Sequence, residues 1–536
     1  MSHSSDSAFD FIVVGAGSAG CAVANRLSQH GQYSVLLLEQ GRRDSSALLA
    51  MPKGFGAILA GDKYVSRYAI TGTDDAVTDE VWLRGKTLGG SSSVNGMIWA
   101  RPQPEGFAAL ADVGGDAWSW SQMQSYCDAL DGGDSSEGIV PTSPHKHQYA
   151  ITQAFVNAAS SAGLPIQNRM TNTGKYGAGY LHYNIDANGK RFSAATAFLK
   201  PRSRYANLHV QTDCQVDKIT FEAKRAKAVL YRRNGKHVSA TAHRDIVLCA
   251  GALESPQILQ RSGIGPGRLL NDLGIAVVHA NDHVGANVRE HLLLGINFEV
   301  KSLADTENHQ YSGGRLLWNV LRYALARTGP MAQSPCHAAA FLRSTPSLEK
   351  PDIQLMLSPF SRDGNGFSAS PGISIVGYPM YPKSKGEIRI CSTEPRVPAR
   401  IKPNHLSHND DKEVGIAAIK HIRALASQPP LASKLVREMP HSAVAQTDKH
   451  IGEFYQHNGQ PGYHAVGSCA MGHDSATAVV DGHTRVHGVQ GVRVVDCSIY
   501  PHMLSGVTNA SVMAIAMRAA DLMLHEYEQA ANTPKA

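Results

Sequence analysis

No two of the eight cysteines (Cys21, Cys127, Cys214, Cys249, Cys336, Cys391, Cys469, Cys497) stand in a Cys-x-x-Cys pair, and several sit inside apolar runs such as Ile246–Ala250. Spacing of that kind excludes a disulfide framework and fits buried thiols in a reducing compartment. Charge of one sign is also scarce: the formal net charge is +6 over 536 residues, with the basic residues scattered. That excludes a nucleic-acid-binding surface. No apolar run is long enough to span a bilayer, and no strongly amphipathic basic helix stands out. The polar start, Met1 to Ala8, lacks the basic and apolar regions of a secretory leader. The expected place is therefore cytoplasmic, with a peripheral position at the inner membrane face left open. Repeats and low-complexity tracts are absent. The 25 histidines show no convincing metal-ligand spacing, so no metal site is expected. With 43% apolar and 18% charged residues, the chain can bury a large core, and its length suits two lobes.

What is present is concentrated near the start. Phe11-Ile12-Val13-Val14 reads as a buried strand, followed by Gly15-Ala16-Gly17-Ser18-Ala19-Gly20, a helix, and the apolar Leu36-Leu37-Leu38 closed by Glu39. Gly15 permits the tight turn, Gly17 lets backbone approach a pyrophosphate, and Gly20 lets the helix pack onto the sheet. The helix N-terminus offers free N–H groups to phosphate. Glu39, about 20 residues beyond the glycines, is placed to accept from a ribose hydroxyl. The other reading is a glycine-rich turn that only packs a helix.

Further along, the pieces interleave. The β-α-β unit ends near Arg42, and a glycine-rich segment runs from Leu83 to Pro102. Its small residues can bring backbone N–H groups close to an anion or a flat ring. Strand-like runs follow at 208–210, 216–219 and 246–248, then a second glycine turn at 250–259. From about Leu292 to Ile451 the texture changes to alternating segments, such as Ile373–Tyr378 and Gly386–Ile390, with many prolines. This predicts an antiparallel sheet in a separate lid or substrate lobe. Val492–Asp496 returns to a strand pattern, and Asn509 to Glu526 reads as a final helix.

Four blocks together resemble the glucose–methanol–choline family of flavin oxidoreductases: Gly85–Pro102, Gly251–Leu259, Val284–His291 and Tyr463–Gly472, in the family's order. The resemblance covers nearly the whole chain. It implies an α/β protein in which a Rossmann-like FAD-binding domain (1–60, 190–291 and 460–536) is interleaved with an α+β substrate or lid domain on an antiparallel sheet (61–189 and 292–459). It implies FAD at the first turn, held by Gly15, Gly17, Ser18, Ala19 and Gly20, with Glu39 and Gln40 at the adenosine ribose. Arg84, Leu88, Gly89, Gly90, Ser91, Asn95, Gly96, Met97 and Ile98 would line the pyrophosphate and flavin. Val216 would contact adenine through its backbone, and Ala250, Gly251, Asp496, Asn509 and Ala510 complete the set. Some relatives attach the flavin through a histidine; the matching position here is Val94, which implies noncovalent FAD.

The family chemistry is oxidation of an alcohol to a carbonyl, with hydride passing to the flavin. His464 matches the catalytic histidine, suited as general base near neutral pH. Asn509 is the expected second catalytic residue, although spacing back from Asp521 puts Val507 in the usual slot; an N-cap role is the alternative for Asn509. Choline-like relatives often carry a glutamate where this chain has His337, which argues against choline. His337 lines the substrate pocket or is a buried structural histidine, and His483 and His487 are read as structural. The expected function is oxidation of a small primary alcohol to the aldehyde. The alternatives are an aryl or heteroaromatic alcohol oxidase using oxygen, a flavin-binding hydroxynitrile lyase, or a binding protein with a degenerate site. The expected partners are an alcohol and an electron acceptor (oxygen, a quinone or a carrier protein). The oligomeric state is not legible.

Overall fold

The computed structural model describes residues 4–29, 31–72, 77–132, 137–145, 149–171, 174–200, 205–363, 366–504 and 506–532. Five short apolar strands form a fully parallel sheet: β1 (Phe11–Val14), β2 (Val35–Leu38), β3 (Leu208–Gln211), β4 (Ile246–Leu248) and β5 (Val492–Val494). Their order is β3-β2-β1-β4-β5. Every residue of β1, β2 and β4 is buried, as expected of parallel strands covered on both faces. Three helices belong to this unit: α1 (Ser18–Gln29), α2 (Gly251–Arg261) and α3 (Asn509–Asn532). Small residues let α1 and α3 lie against each other over β1, and α3 runs beyond the expected end at Glu526.

Register aligns the strand ends. Val14 pairs with Leu38 and Leu248, and Leu248 pairs with Val494. Gly15, Glu39, Cys249 and Asp496 therefore leave the sheet along one edge. The chain order reverses between β1 and β4, the position where open α/β sheets bind ligands.

A four-stranded sheet, Ser4–Phe9, Lys236–Ala242, Arg225–Arg233 and Cys214–Glu222, flanks this unit. Val216 belongs to it rather than to the parallel sheet.

The larger sheet runs 435–438, 292–300, 372–379, 353–358, 338–342, 177–180 and 166–167. Neighbouring strands are antiparallel except the last pair. Leu294, Ile296, Leu355 and Ile375 on one face pack against Phe155, Ile419 and Ile422 of helices Ala150–Ser161 and Asn409–Ala426. The other face, with Leu293, Met356 and Phe341, turns toward Met97 and the parallel unit.

Two expectations need correction. The alternating 386–390 segment is not a strand of this sheet: Glu387–Arg389 pairs with Arg400–Lys402, and its other neighbours are Gly285 and Val288, whose backbone groups bond Ile388 and Gly386. An amphipathic basic helix also exists, Gly313–Ala326. Its buried side holds Asn319 and Tyr323 while Leu317, Leu321 and Leu325 face outward, the reverse of the usual apolar-in pattern. Among the described residues no helix is long and apolar enough to cross a membrane. No group of three or more His, Cys, Asp or Glu could hold a metal ion among them. All eight cysteines are free.

Candidate active site

A cavity of about 1560 Å³ opens along the sheet edge and continues beneath the large sheet. Three helix N-termini meet its wall: Ser18 and Ala19 of α1, Gly251 and Ala252 of α2, and Asn509 and Val512 of α3. Their unsatisfied N–H groups give that wall the polarity an anion needs. Asp496 already claims one of them. Its Oδ2 accepts from the Gly251 N–H at 2.8 Å and from Ser255 Oγ at 2.6 Å, while Oδ1 accepts from the Ser498 N–H at 2.7 Å.

Geometry distinguishes the glycines of the first turn. Gly15 has φ +98°, and a Cβ there would lie 2.6 Å from the Cys249 carbonyl oxygen. A Cβ on Gly20 would lie 1.8 Å from the Gly15 carbonyl oxygen, so this glycine is required by packing. Gly17 differs: an added Cβ would meet no protein atom within 4 Å. The missing side chain leaves room in the cavity, which is what close approach of a pyrophosphate demands.

Glu39 lies at the end of β2. Its Oε2 accepts from the Ala16 N–H and its Oε1 from the Gly41 N–H, each at 2.8 Å. Burial nevertheless pushes its carboxyl up to about 7. Each oxygen keeps a lone pair for a further donor such as a ribose hydroxyl. On the opposite wall, Asn509 Oδ1 accepts from Ser18 Oγ at 2.7 Å, and its buried Nδ2 has no partner in the protein. A buried amide donor aimed at a cavity calls for an acceptor from outside the chain. The open space over Gly17, the orphaned Asn509 Nδ2 and the spare capacity of Glu39 all fit FAD.

Deeper in, His464 joins the wall on the segment that follows the strand pair 292–293 and 460–461. Its Nδ1 lies 2.9 Å from Nδ1 of His291, and Nε2 of His291 lies 2.9 Å from the Met380 carbonyl oxygen. A carbonyl only accepts, so His291 Nε2 carries hydrogen. In neutral His291, Nδ1 is then an acceptor, and His464 Nδ1 must donate to it. The remaining nitrogen, His464 Nε2, therefore holds a lone pair. This tautomer is assigned from the bonding pattern. Burial, then His291, then Arg84 hold His464 well below the usual imidazole range. Burial, against the opposing Met380 hydrogen bond, lowers His291 to about 4.

Glu290 ties the two histidines together through their backbone amides rather than their rings. Its Oε1 accepts from the His291 N–H at 2.9 Å and the His464 N–H at 2.6 Å, and Arg84 lies 3.8 Å from Oε2. Burial raises Glu290 to about 7. Arg84 also donates to the Tyr463 carbonyl at 3.1 Å, holding a residue at φ +62° just before His464. A non-glycine residue in that region is strained by about 1–3 kcal/mol, which its neighbours must offset.

The other expected residues divide. Gln40, Gly90, Ser91, Asn95, Gly96, Met97, Ile98, Val216, Ala250 and Val507 line the cavity with those named above. Leu88, Gly89 and Ala510 do not: Leu88 and Ala510 are buried, and the Gly89 N–H donates to the Ala16 carbonyl at 2.7 Å. They hold the turn from behind. His337 is also absent from the wall. It sits buried just ahead of strand 338–342, beside His145 and Tyr149 at ring distances of 4.6 and 5.5 Å, and 3.9 Å from Glu307. His483 pairs with Glu526, and His487 bonds the Gly472 carbonyl. His291 and Glu290 close the Val284–His291 block, but their pairing with His464 is not foreseen from the sequence. The available signal was an acid–histidine pair closing a block of otherwise small residues just ahead of an apolar strand.

Residues 9–293 match the N-terminal part, and residues 382–516 the C-terminal part, of the GMC oxidoreductase family. The chain belongs to that family. It is 32% identical to the alcohol dehydrogenase [acceptor] of Pseudomonas putida over 97% of both chains. It is 34% identical to the oxygen-dependent choline dehydrogenase of Stenotrophomonas maltophilia (strain K279a), covering 96% of this chain and 94% of that one. Among solved structures, the pyridoxine 4-oxidase from Mesorbium loti superposes with a TM-score of 0.86 at 27% identity, over 96% and 99% of the two chains. This GMC protein is an FAD-dependent oxidoreductase acting on the CH–OH group of a small-molecule donor, and it passes electrons to an acceptor.

Proposed function

We propose that this GMC oxidoreductase oxidises a small primary alcohol to the aldehyde, with His464 Nε2 taking the hydroxyl proton. The observation that carries this reading is the relay from the Met380 carbonyl through His291 to His464. It leaves a lone pair on the one imidazole nitrogen not already bonded within the protein. The depressed pKa keeps that nitrogen unprotonated at neutral pH. Once protonated, His464 still donates from Nδ1 to His291. Bound FAD supplies the two-electron acceptor for the hydrogen on the alcohol carbon. Asn509, directed at the cavity by Ser18, is the second polar group; Val507 beside it adds only apolar surface.

The turn at Gly15–Gly20, Glu39 and the three helix N-termini would hold FAD, and 1–60, 190–291 and 460–536 form its domain. Residues 61–189 and 292–459 form the substrate domain on the antiparallel sheet. Val94 lies in the wall where a linking residue would stand and has no nucleophile, so the flavin is held noncovalently. Choline is disfavoured. The buried Glu307 carboxylate is paired at 2.5 Å with Lys53, and Lys53 lines the cavity, so an approaching cation meets an ammonium first. Oxygen, a quinone or a carrier protein takes up the electrons.

Anaerobic titration of the yellow holoenzyme with an alcohol panel tests this reading. Bleaching by a primary alcohol with stoichiometric aldehyde is the expected result. An unchanged spectrum, with a cyanohydrin cleaved to cyanide and carbonyl, would transfer the assignment to a lyase.

A further inference from the structure

Helix Gly313–Ala326 presents Leu317, Leu321 and Leu325 along one stripe, with Trp318 beside it; their exposures are 72, 45, 80 and 63%. Residues spaced by four share a helix face, so these side chains form one continuous apolar ridge. Arg315, Arg322 and Arg327 are exposed around it. The chain carries no Asp or Glu from 308 to 348, so no acid of this segment offsets the arginines. The opposite side is tied down: Asn319 Nδ2 donates to the Gln310 carbonyl, and the Tyr323 hydroxyl donates to the Ala50 and Gly189 carbonyls. The ridge is thus held outward by a polar inner seam.

We propose that this helix seats the enzyme on an anionic lipid bilayer. A ridge of leucines with a tryptophan at its edge suits the boundary between acyl chains and headgroups, and the arginines suit anionic headgroups. Fourteen residues span only about 21 Å, so the helix lies in the plane rather than crossing. A second copy is the poorer occupant. A two-fold interface through this ridge would set three arginines against three with no acid of this segment between them.

The docked face adjoins the catalytic cavity. Leu316 and Val320, on the inner side of the same helix, are part of the cavity wall. Phe367, also in that wall, is half exposed and stacks on Tyr311 at 4.7 Å, just before the helix begins. A membrane under the ridge would therefore lie one helix thickness from the cavity.

Co-sedimentation of the holoenzyme with vesicles tests the proposal, using phosphatidylcholine alone or mixed with phosphatidylglycerol. The wild type should bind the mixed vesicles at least tenfold better, and Trp318 emission should shift to the blue by comparison with a Trp318→Phe variant. The pair Leu317→Ser and Leu325→Ser should lower binding at least tenfold. Replacing Arg315, Arg322 and Arg327 by Gln should remove the preference for phosphatidylglycerol, at about fivefold per arginine. The flavin spectrum of each variant reports that the fold is intact. Equal binding by wild type and the serine pair would overturn the proposal. So would failure to bind either vesicle, with a concentration-dependent dimer that Leu317→Ser dissolves; that result would assign the ridge to a second copy.

Discussion

His291 and His464 meet Nδ1 to Nδ1 at 2.9 Å, their rings nearly perpendicular at 84°. Because the Met380 carbonyl fixes the hydrogen on the far side of His291, proton positions along the relay are set before any substrate arrives. The base is made by its neighbour's tautomer as much as by its own pKa.

Replacing His464 by Ala should leave FAD bound and slow anaerobic flavin reduction by about 100-fold or more. Replacing His291 by Ala should cost less, about tenfold, because His464 remains but is free to adopt the unproductive tautomer. Stopped-flow absorbance at the flavin band measures both. Equal rates for wild type and H464A would remove His464 from the base role.

The rate of flavin reduction should be independent of pH above about 6.5 and fall on the acid side. A histidine held well below its ordinary value is already deprotonated at neutrality, so only acid can take the base away. A reduction rate still climbing between pH 7 and 9 would point to a different base.

Gly462 tests the position of the ring separately from its chemistry. A Cβ at Gly462 would fall 2.9 Å from His464 Nδ1 and 2.8 Å from a Leu293 methyl. Gly462→Ala should therefore lower kcat tenfold or more with normal flavin content, since His464 must move off His291. Unaltered turnover would show that the relay tolerates displacement.

Replacing Gly17 by Leu should cost cofactor rather than fold. A Cβ at Gly17 would meet no protein atom within 4 Å and Gly17 lines the cavity, so purified protein should be pale, with near-normal secondary structure by circular dichroism. A full flavin complement would refute the phosphate-cradle reading.

The parts legible in the sequence are those whose local chemistry leaves no choice. Apolar runs such as Phe11–Val14 and Val35–Leu38 become buried parallel strands, and Gly15 takes the positive φ that its turn requires. What stayed hidden depends on pairing across long separations. Nothing near Gly386–Ile390 announces that its backbone partners are Gly285 and Val288. Nothing near His337 announces that it packs against His145 and Glu307 rather than in the cavity wall. His291 lies 173 residues from His464, so its role emerges only when both are folded together. The outward leucines of Gly313–Ala326 were illegible for the opposite reason: a helix with apolar residues on two sides reads as buried until its neighbours are known.

The hydrogen bond from Ser18 to Asn509 joins residues 491 positions apart. A ribosome adding about 5–20 residues per second reaches Asn509 about 25–100 s after Ser18. Throughout that interval the β1 turn and α1 exist without α3 to cover them. The cofactor site is thus among the last features completed in biosynthesis, and truncation ahead of α3 should abolish flavin loading even where the first half of the chain has folded.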